Sequence, residues 1–218
     1  MIARRNILAV PIALAATARP ASAIPPLPIP SGNRIAFQLR RNGDVIGRHE
    51  LTFASEGTTL TVSIALDIVV KFGPIAVYRY QHRGTERWRD GRFVSMESKT
   101  DSDGTPQFMR AAFDNGSLVV EGSQAKRYTA PPGTLVSTYW NKAMLQPHLI
   151  SSEDGKLFDI APHPIADEAV PIAGGGTIKA QHWKLDDSKP LDLWYDPSGQ
   201  WAHLRFTKDG STIIYERL

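Results

Sequence analysis

The side chains best suited to chemistry are concentrated in residues 78–90, which read YRYQHRGTERWRD. A β-strand turns successive side chains to opposite faces, so every second residue of this stretch shares a face. One face would carry Tyr78, Tyr80, His82, Glu86 and Trp88. Flat aromatic area with a few oriented polar groups is typical of a small-molecule pocket. The alternative is a sheet surface held by Arg–Glu and Arg–aromatic contacts between strands, and both interpretations remain open.

A catalytic interpretation of this stretch has little support. A hydrolase would use the neighbourhood of His82 and Glu86. The carboxylate pairs Glu86 with Asp90 and Asp192 with Asp196 are ordinary for a strand end. The chain has no Gly-x-Ser-x-Gly motif and no Ser or Thr in a recognisable nucleophile context. Because no set of nucleophile, base and orienting group is visible, we predict no catalytic residues.

Metal and cofactor sites are also not indicated. The chain has six His and no Cys, and no two His have the close spacing of a zinc motif. Gly174-Gly175-Gly176 lacks the following Lys and helix of a phosphate-binding loop. His49 falls in phase with Leu51 and Phe53, and is either a core imidazole or a ligand-facing group. We predict no metal and no cofactor, and keep His49 as a candidate ligand-binding residue.

The first 23 residues have the organisation of a cleavable export signal. Arg4 and Arg5 precede an apolar run from Ile7 to Ala18, and Ala21-Ser22-Ala23 is a small-x-small cleavage pattern. The apolar run is too short to span a bilayer, which takes about 20 residues. We therefore expect cleavage after Ala23 and a periplasmic or secreted protein that is not integral to the membrane.

The paired arginines also fit the twin-arginine export pattern, although paired arginines occur in ordinary signals as well. Cleavage would remove Arg4, Arg5 and Arg19 but no acidic residue, which reduces 25 basic residues to 22, against 22 acidic ones. A neutral mature chain gives no indication of nucleic-acid binding.

Downstream of the signal, residues 24–32 form a proline-rich leader that cannot enter a central sheet, and residues 33–218 have the size of one domain. Eight two-residue turn signals divide this domain into short runs rich in β-forming residues. These are Asn42-Gly43, Glu56-Gly57, Asp90-Gly91, Asp103-Gly104, Asn115-Gly116, Asp154-Gly155, Ser198-Gly199 and Asp209-Gly210. They predict a mostly β protein built as an antiparallel meander.

The runs between the turns alternate in polarity. The longest apolar stripe takes every second residue from Leu60 to Val70, which predicts a long strand with one buried face. Ser137 or Thr138 followed by residues 139–146 and Pro147 predicts a short helix, near 138–146, that lies on the sheet. One short helix cannot cover so many strands, so we expect the sheet to curl into a barrel or half-barrel.

Three motifs resemble an uncharacterised domain-of-unknown-function family of secreted proteobacterial proteins. They are Glu86-x-Trp88-x-Asp90-Gly91, Tyr139-Trp140-Asn141 and Leu191-Asp192-Leu193-Trp194-Tyr195-Asp196. The resemblance implies a curved antiparallel sheet similar to lipoprotein-carrier or lipocalin-like shells, and it implies no activity. Trp140, Asn141, Trp194 and Tyr195 join the candidate ligand-binding residues.

Three functions follow from these observations. The first is a periplasmic, non-catalytic binding or carrier protein for an apolar or amphipathic small molecule or lipid. The second is an envelope scaffold protein with a solid core that binds another envelope protein. The third is a hydrolase that uses the His82 and Glu86 neighbourhood. An open apolar cavity lined by the aromatic residues would favour the first function over the second.

Overall fold

The computed structural model describes residues 26–186 and 190–218. The expected export signal and the start of the leader lie outside the described residues. The strands are β1 Arg34–Arg41, β2 Asp44–Glu56, β3 Thr59–Phe72, β4 Ile75–Arg89, β5 Arg92–Ser102, β6 Thr105–Asp114, β7 Ser117–Gly122, β8 Ala125–Thr129, β9 Leu135–Val136, β10 His148–Ile150, β11 Leu157–Asp159, β12 Ala161–Pro171, β13 Thr177–Asp186, β14 Leu191–Tyr195, β15 Trp201–Lys208 and β16 Ser211–Arg217.

Thirteen of these strands form one antiparallel sheet, in the order β12-β13-β14-β15-β16-β1-β2-β3-β4-β5-β6-β7-β8. Both halves of the sheet are meanders, because neighbours in the sheet are neighbours in the chain. The last strand, β16, pairs with β1 and joins the two halves, with Leu39 opposite Tyr215. The prediction of a mostly β antiparallel meander is confirmed.

The predicted turns connect most of these hairpins. Both residues have positive φ in Asn42-Gly43, Asp90-Gly91, Asp103-Gly104, Asn115-Gly116 and Asp209-Gly210. This is the type I′ geometry that matches the twist of the flanking strands. Asp154-Gly155 differs, since it lies in a loop between β10 and β11 and packs against Gly122 of β7.

The inner face of the sheet holds the core. Ile35, Phe37 and Leu39 of β1 are fully buried, and residues from β2 to β7 and β13 to β16 join the same apolar cluster. The sheet is strongly curved, because the Lys208 ammonium at the end of β15 lies 5.5 Å from the Tyr78 ring on β4. These two strands are separated by four others in the strand order. Curvature therefore brings the two halves of the meander to face each other.

The closed barrel, one of the two expected shapes, does not form among the described residues. The strands β8 and β12 are the two edges of the sheet. β12 contains Pro162 and Pro164 and ends at Pro171, and its register shifts after Pro164. Proline cannot donate a hydrogen bond to a neighbouring strand. Proline on one edge hinders closure there and also protects the edge from pairing with another chain.

Residues 130–160, which we call the cover segment, lie between the two edges in the chain and cover the inner face. The segment contains a small sheet of β11, β10 and β9, in which β9 and β10 run parallel. Val136, Trp140, Met144, Leu149 and Ile150 from this segment are buried in the main core. An irregular segment of chain thus supplies the cover for which we predicted a helix.

The predicted helix near 138–146 is wrong. Only a 3-10 helix at Lys142–Met144 forms, and Tyr139 has φ +65, which no α-helix accommodates. The two expected capping residues have other partners. Ser137 accepts a hydrogen bond from the Ser152 amide, and Thr138 donates one to Glu86. These long-range contacts override the weak local preference for a helix.

Two further features concern the chain's beginning and its relation to membranes. Leu27 and Ile29 of the proline-rich leader pack against the main core without joining a strand. Within residues 26–186 and 190–218, the structure contains no helix with the length and apolar character needed to span a membrane.

Candidate functional site

The inner face of β4 carries the residues that we singled out first. Burial alternates along this strand: His82, Glu86 and Trp88 are buried, Tyr78 and Tyr80 are partly buried, and the intervening arginines are exposed. The expected division into one apolar-aromatic face and one basic face is therefore present. The face points into the curved sheet, where its two ends have different surroundings.

Glu86 marks the deep end of this face. Its carboxylate is 1% exposed and accepts hydrogen bonds from the Trp140 indole nitrogen at 2.7 Å and the Thr138 hydroxyl at 3.2 Å. Burial raises the pKa of Glu86 to about 7, although both hydrogen bonds oppose the rise. Both of these donors belong to the cover segment, so Glu86 fixes the segment to the sheet.

The three sequence motifs meet in this region. Trp140 packs edge-on against Trp88 at 5.6 Å and against Phe53 at 5.2 Å. The Tyr195 hydroxyl donates to the Tyr139 carbonyl, and Asn141 forms an isolated bridge with Gln200. Trp88, Trp140 and Tyr195 are all buried and belong to one apolar cluster. The open apolar cavity that we considered is therefore not formed by these three rings.

Two buried histidines occupy the same face nearer its middle. Leu66 of β3 pairs with both His49 of β2 and His82 of β4. Burial lowers the pKa of His82 to about 4, and its Nδ1 lies 2.8 Å from the Thr100 hydroxyl. Burial lowers the pKa of His49 to about 3, and the described residues offer neither of its ring nitrogens a hydrogen bond. Both imidazoles are neutral at physiological pH.

The hydrolase interpretation finds no support in this geometry. His82 and Glu86 are four residues apart on one strand, which separates their backbones by about 13 Å. Their hydrogen-bond partners are also separate, since His82 contacts Thr100 and Glu86 contacts the cover segment. Within the described ranges, no group of three or more His, Cys, Asp or Glu is placed to hold a metal.

The other end of the inner face is less covered. We call this region the mouth, and its apolar members are all only partly buried; all but Tyr78 pack against the core. They are Ile68, Val70, Tyr78, Tyr80 and Phe206. The Tyr78 hydroxyl lies 3.1 Å from that of Ser102, and Lys208 stands over the Tyr78 ring from the opposite wall. The mouth combines uncovered apolar area with polar groups at its edge.

Trp194 is not part of this arrangement. It belongs to a separate cluster with Val170, Ala180 and Ala202, where it stacks on His182 at 4.3 Å and donates to Glu168 at 2.7 Å. The candidate residues therefore divide into three places. Tyr78 and Tyr80 lie at the mouth, Trp194 lies apart, and the remainder are buried in or beside the core.

Sequence reasoning missed four members of the mouth. Ile68 and Val70 were assigned only to the apolar stripe of β3. Lys208 and Phe206 come from β15, far along the chain from β4, and no local signal connects the two segments. The alternation of Leu204, Phe206 and Lys208 does place them on one face. Which strand they face depends on the curvature of the whole sheet.

The fold defines a class of strongly curved, open antiparallel sheets whose inner face is covered by a segment of the same chain. It is similar to the crystal structure of a beta-barrel-like protein of domain of unknown function DUF1849 from Brucella abortus. The TM-score is 0.57 at 14% sequence identity, and the match covers 85% of this chain and 94% of that one. At this identity the similarity concerns the fold alone.

The family model for the domain of unknown function DUF6134 matches residues 37–218, and the chain belongs to this family. The resemblance that the three motifs indicated, to a family of unknown function, is confirmed. No curated protein matches the chain.

Proposed function

We propose that this protein is an exported, non-catalytic binding protein that takes an apolar or amphipathic molecule at the mouth of its curved sheet. The observation that carries the proposal is the difference in burial along the inner face. Leu60, Val62 and Ile64 are fully covered, whereas Ile68 and Val70 on the same stripe are partly open. Inward-facing apolar area that the chain itself leaves uncovered is suited to a ligand.

The size of the ligand is limited by the cover segment. Trp140 and Met144 of the cover segment are buried in the core against which the mouth packs, so the ligand would contact Tyr80 and Val70 and would not pass deeply into the core. A single acyl chain or a flat aromatic molecule fits this description. Lys208 and the Tyr78 hydroxyl would meet its polar end.

The export signal in residues 1–23 supports a periplasmic or secreted location, and the neutral mature chain gives no support for nucleic-acid binding. Within the described residues, His82 and Glu86 lie apart and do not form an acid–base pair. These observations favour binding over catalysis.

The test uses the apolar dye N-phenyl-1-naphthylamine, together with native mass spectrometry of the gently purified protein. We expect one dye molecule per chain, and at least ten-fold weaker binding in Val70→Glu, which puts a charge in the mouth. The matched control is Val69→Glu, because Val69 is the adjacent residue on the other face of β3. Equal loss in both variants, or no bound dye and no co-purified lipid, would refute the proposal.

The second candidate function, a scaffold that binds another envelope protein, is favoured by the aromatic side chains buried in the core. Trp88, Trp140 and Tyr195 are buried in one apolar cluster, as expected for a protein that acts through its surface. In-cell crosslinking separates the two functions. A defined crosslinked partner supports the scaffold, and a monomer that retains lipid supports the binding protein.

A further inference from the structure

The hairpin between β3 and β4 separates from both neighbouring strands at its tip, although β2 continues past Gly47 to Asp44. β3 pairs with β2 only as far as Ile68, opposite Gly47, and β4 pairs with β5 only from Tyr80, opposite Ser102. Residues 70–78, which we call the hairpin tip, pair only with each other, from Val70–Tyr78 to Phe72–Ile75. Four residues of extended strand between Ile68 and Phe72 span about 13 Å.

The hairpin tip is apolar and exposed. Its sequence is VKFGPIAVY, with Lys71 as its single charge. Phe72 is 79% exposed, Ile75 64% and Val77 54%, and Val45 on the adjacent β2 is 58% exposed. Elsewhere, most exposed side chains of β3 and β4 are polar or charged, as in the pairs Arg83–Asp67 and Arg87–Glu97. A cluster of large apolar side chains in such a surface marks a site of interaction.

We propose that the hairpin tip inserts into the surface of a lipid bilayer and docks the protein on a membrane. Phe72, Pro74 and Ile75 would enter the boundary between headgroups and acyl chains, with Tyr78 at headgroup level. Aromatic residues such as Tyr favour this level, and apolar groups of docked proteins enter the boundary by about 5–10 Å. Val70 and Tyr78 belong to both the mouth and the hairpin tip, but the inserting residues Phe72, Pro74 and Ile75 are not part of the mouth.

The shape and backbone of the hairpin tip favour a lipid surface over a protein partner. A two-stranded tip that pairs only with itself can penetrate a fluid surface, whereas a protein would need a matching pocket. Strand addition from a partner is disfavoured by the register shift between Val70 and Lys71, which interrupts the hairpin edge. The unpaired edges also limit the depth of insertion, because open backbone groups do not enter the hydrocarbon core. Pro74 lacks an N–H group at the point of deepest insertion.

Charge makes a smaller contribution to docking. Lys71 and Lys208 lie at this end of the sheet without an ion pair among the described residues, and Lys208 is close to Tyr78. Turn carboxylates from Asp44, Asp103 and Asp209 lie at the same end. These opposite charges largely cancel, so we expect binding to neutral vesicles, with an increase of no more than about ten-fold on vesicles that contain anionic lipid.

The first experiment is vesicle flotation with the protein purified from its host, with its natural N-terminus recorded by mass spectrometry. The vesicles contain phosphatidylethanolamine with phosphatidylcholine, with or without phosphatidylglycerol. We expect Phe72→Ser combined with Ile75→Ser to lower the bound fraction at least ten-fold. The matched control combines Phe113→Ser with Ile165→Ser, two residues that are 51% and 52% exposed away from the hairpin tip. The control variant should bind like the wild type.

The second experiment identifies which part of the chain contacts the membrane. The chain has no Cys, so Ile75→Cys and Ile165→Cys each provide one thiol for a nitrobenzoxadiazole label. With vesicles, the label at position 75 should brighten and shift to the blue, and the label at 165 should not change. Equal responses at both positions, or no flotation of the wild type, would overturn the proposal. The proposal would also be overturned if the wild type forms a concentration-dependent dimer and does not bind vesicles, and if the hairpin-tip variant no longer dimerises.

The dye and vesicle experiments fail independently. Val70→Glu tests the ligand site by dye binding in solution, and the hairpin-tip variant should retain that dye binding. If the variant that combines Phe72→Ser with Ile75→Ser loses vesicle binding but keeps dye binding, the docking surface is supported. This conclusion does not depend on the result of the dye experiment with Val70→Glu.

Discussion

The indole nitrogen of Trp140 donates a 2.7 Å hydrogen bond to the carboxylate of Glu86, and both side chains are buried. This contact joins the cover segment to the inner face of β4. It involves an acid whose pKa is raised to about 7, so the strength of the attachment depends on protonation within the physiological range.

Replacing Glu86 should remove one component of the pH dependence of stability. Its pKa is about 7 in the folded chain, against an ordinary value of 4.5, so the folded state binds the proton more tightly. The wild-type free energy of unfolding therefore carries a contribution that is present below about pH 4.5 and is lost as pH rises through 7. The contribution is on the order of 3 kcal/mol. Glu86→Gln removes this contribution. Urea unfolding of the wild type and the variant at pH 5 and pH 8 will measure the change.

The control for this variant is Glu97→Gln, an identical change of charge on the exposed face of β5. It should keep the wild-type difference between the two pH values. Buried histidines contribute equally to all three proteins, so the comparison isolates Glu86. If Glu86→Gln and Glu97→Gln behave alike, the carboxylate of Glu86 is not the responsible group.

Trp140→Phe should weaken the attachment of the cover segment. The change removes the donor to Glu86 and leaves space between Phe53 and Trp88, so we expect a loss of about 2–4 kcal/mol in the free energy of unfolding. Trp183→Phe provides the comparison, since its indole donates at 2.9 Å to Gln181 in a partly buried site, and its cost should stay near 1 kcal/mol. Equal costs would contradict the special role of Trp140.

Gly122→Ala should displace the loop of the cover segment from β7. A Cβ at Gly122 would lie 2.1 Å from the Asp154 carbonyl oxygen, and the backbone on both sides is fixed by strand and loop contacts. We expect a melting temperature at least several degrees lower, with faster hydrogen exchange at residues 151–156. Gly32→Ala is the matched control, because no atom lies within 4 Å of its Cβ and it needs no unusual φ. Slow exchange of this loop in Gly122→Ala would disprove the expectation.

His49→Leu should stabilise the protein more at pH 5 than at pH 8. The folded pKa of His49 is about 3, against an ordinary 6.5, so the unfolded state binds more protons at pH 5. That difference lowers wild-type stability by about 2 kcal/mol at pH 5, and the loss begins as pH falls below 6.5. At pH 8 the effect should be small, because Leu replaces an imidazole without hydrogen bonds between Trp201 and Tyr215.

His49→Asn separates titration from polarity. Asn does not titrate in this range, so it should also lose the pH dependence, but it buries an amide and should be less stable than His49→Leu at both pH values. Chemical unfolding followed by tryptophan fluorescence provides both comparisons. If the free energy of unfolding of His49→Leu depends on pH as steeply as that of the wild type, a group other than His49 causes the pH dependence.

Much of the fold follows from local chemistry in the sequence. Asn-Gly and Asp-Gly pairs adopt positive φ with little strain, so turns such as Asn42-Gly43 are visible before any tertiary contact is known. The two-residue alternation of Leu60, Val62 and Ile64 likewise predicts the buried face of β3. Both signals depend on neighbours in the chain, which is why sequence alone determined the strands, the hairpins and the inner face of β4.

Tertiary structure decided the rest, because the deciding contacts join distant parts of the chain. The preference of residues 138–146 for a helix is a weak local effect, and it is outweighed when Glu86 accepts hydrogen bonds from Thr138 and Trp140. Curvature then brings Lys208 to Tyr78, and the ends of strand pairing at Ile68 and Tyr80 leave the hairpin tip free. The sequence alone determined which residues face inward, and only the folded sheet decided which of them are covered.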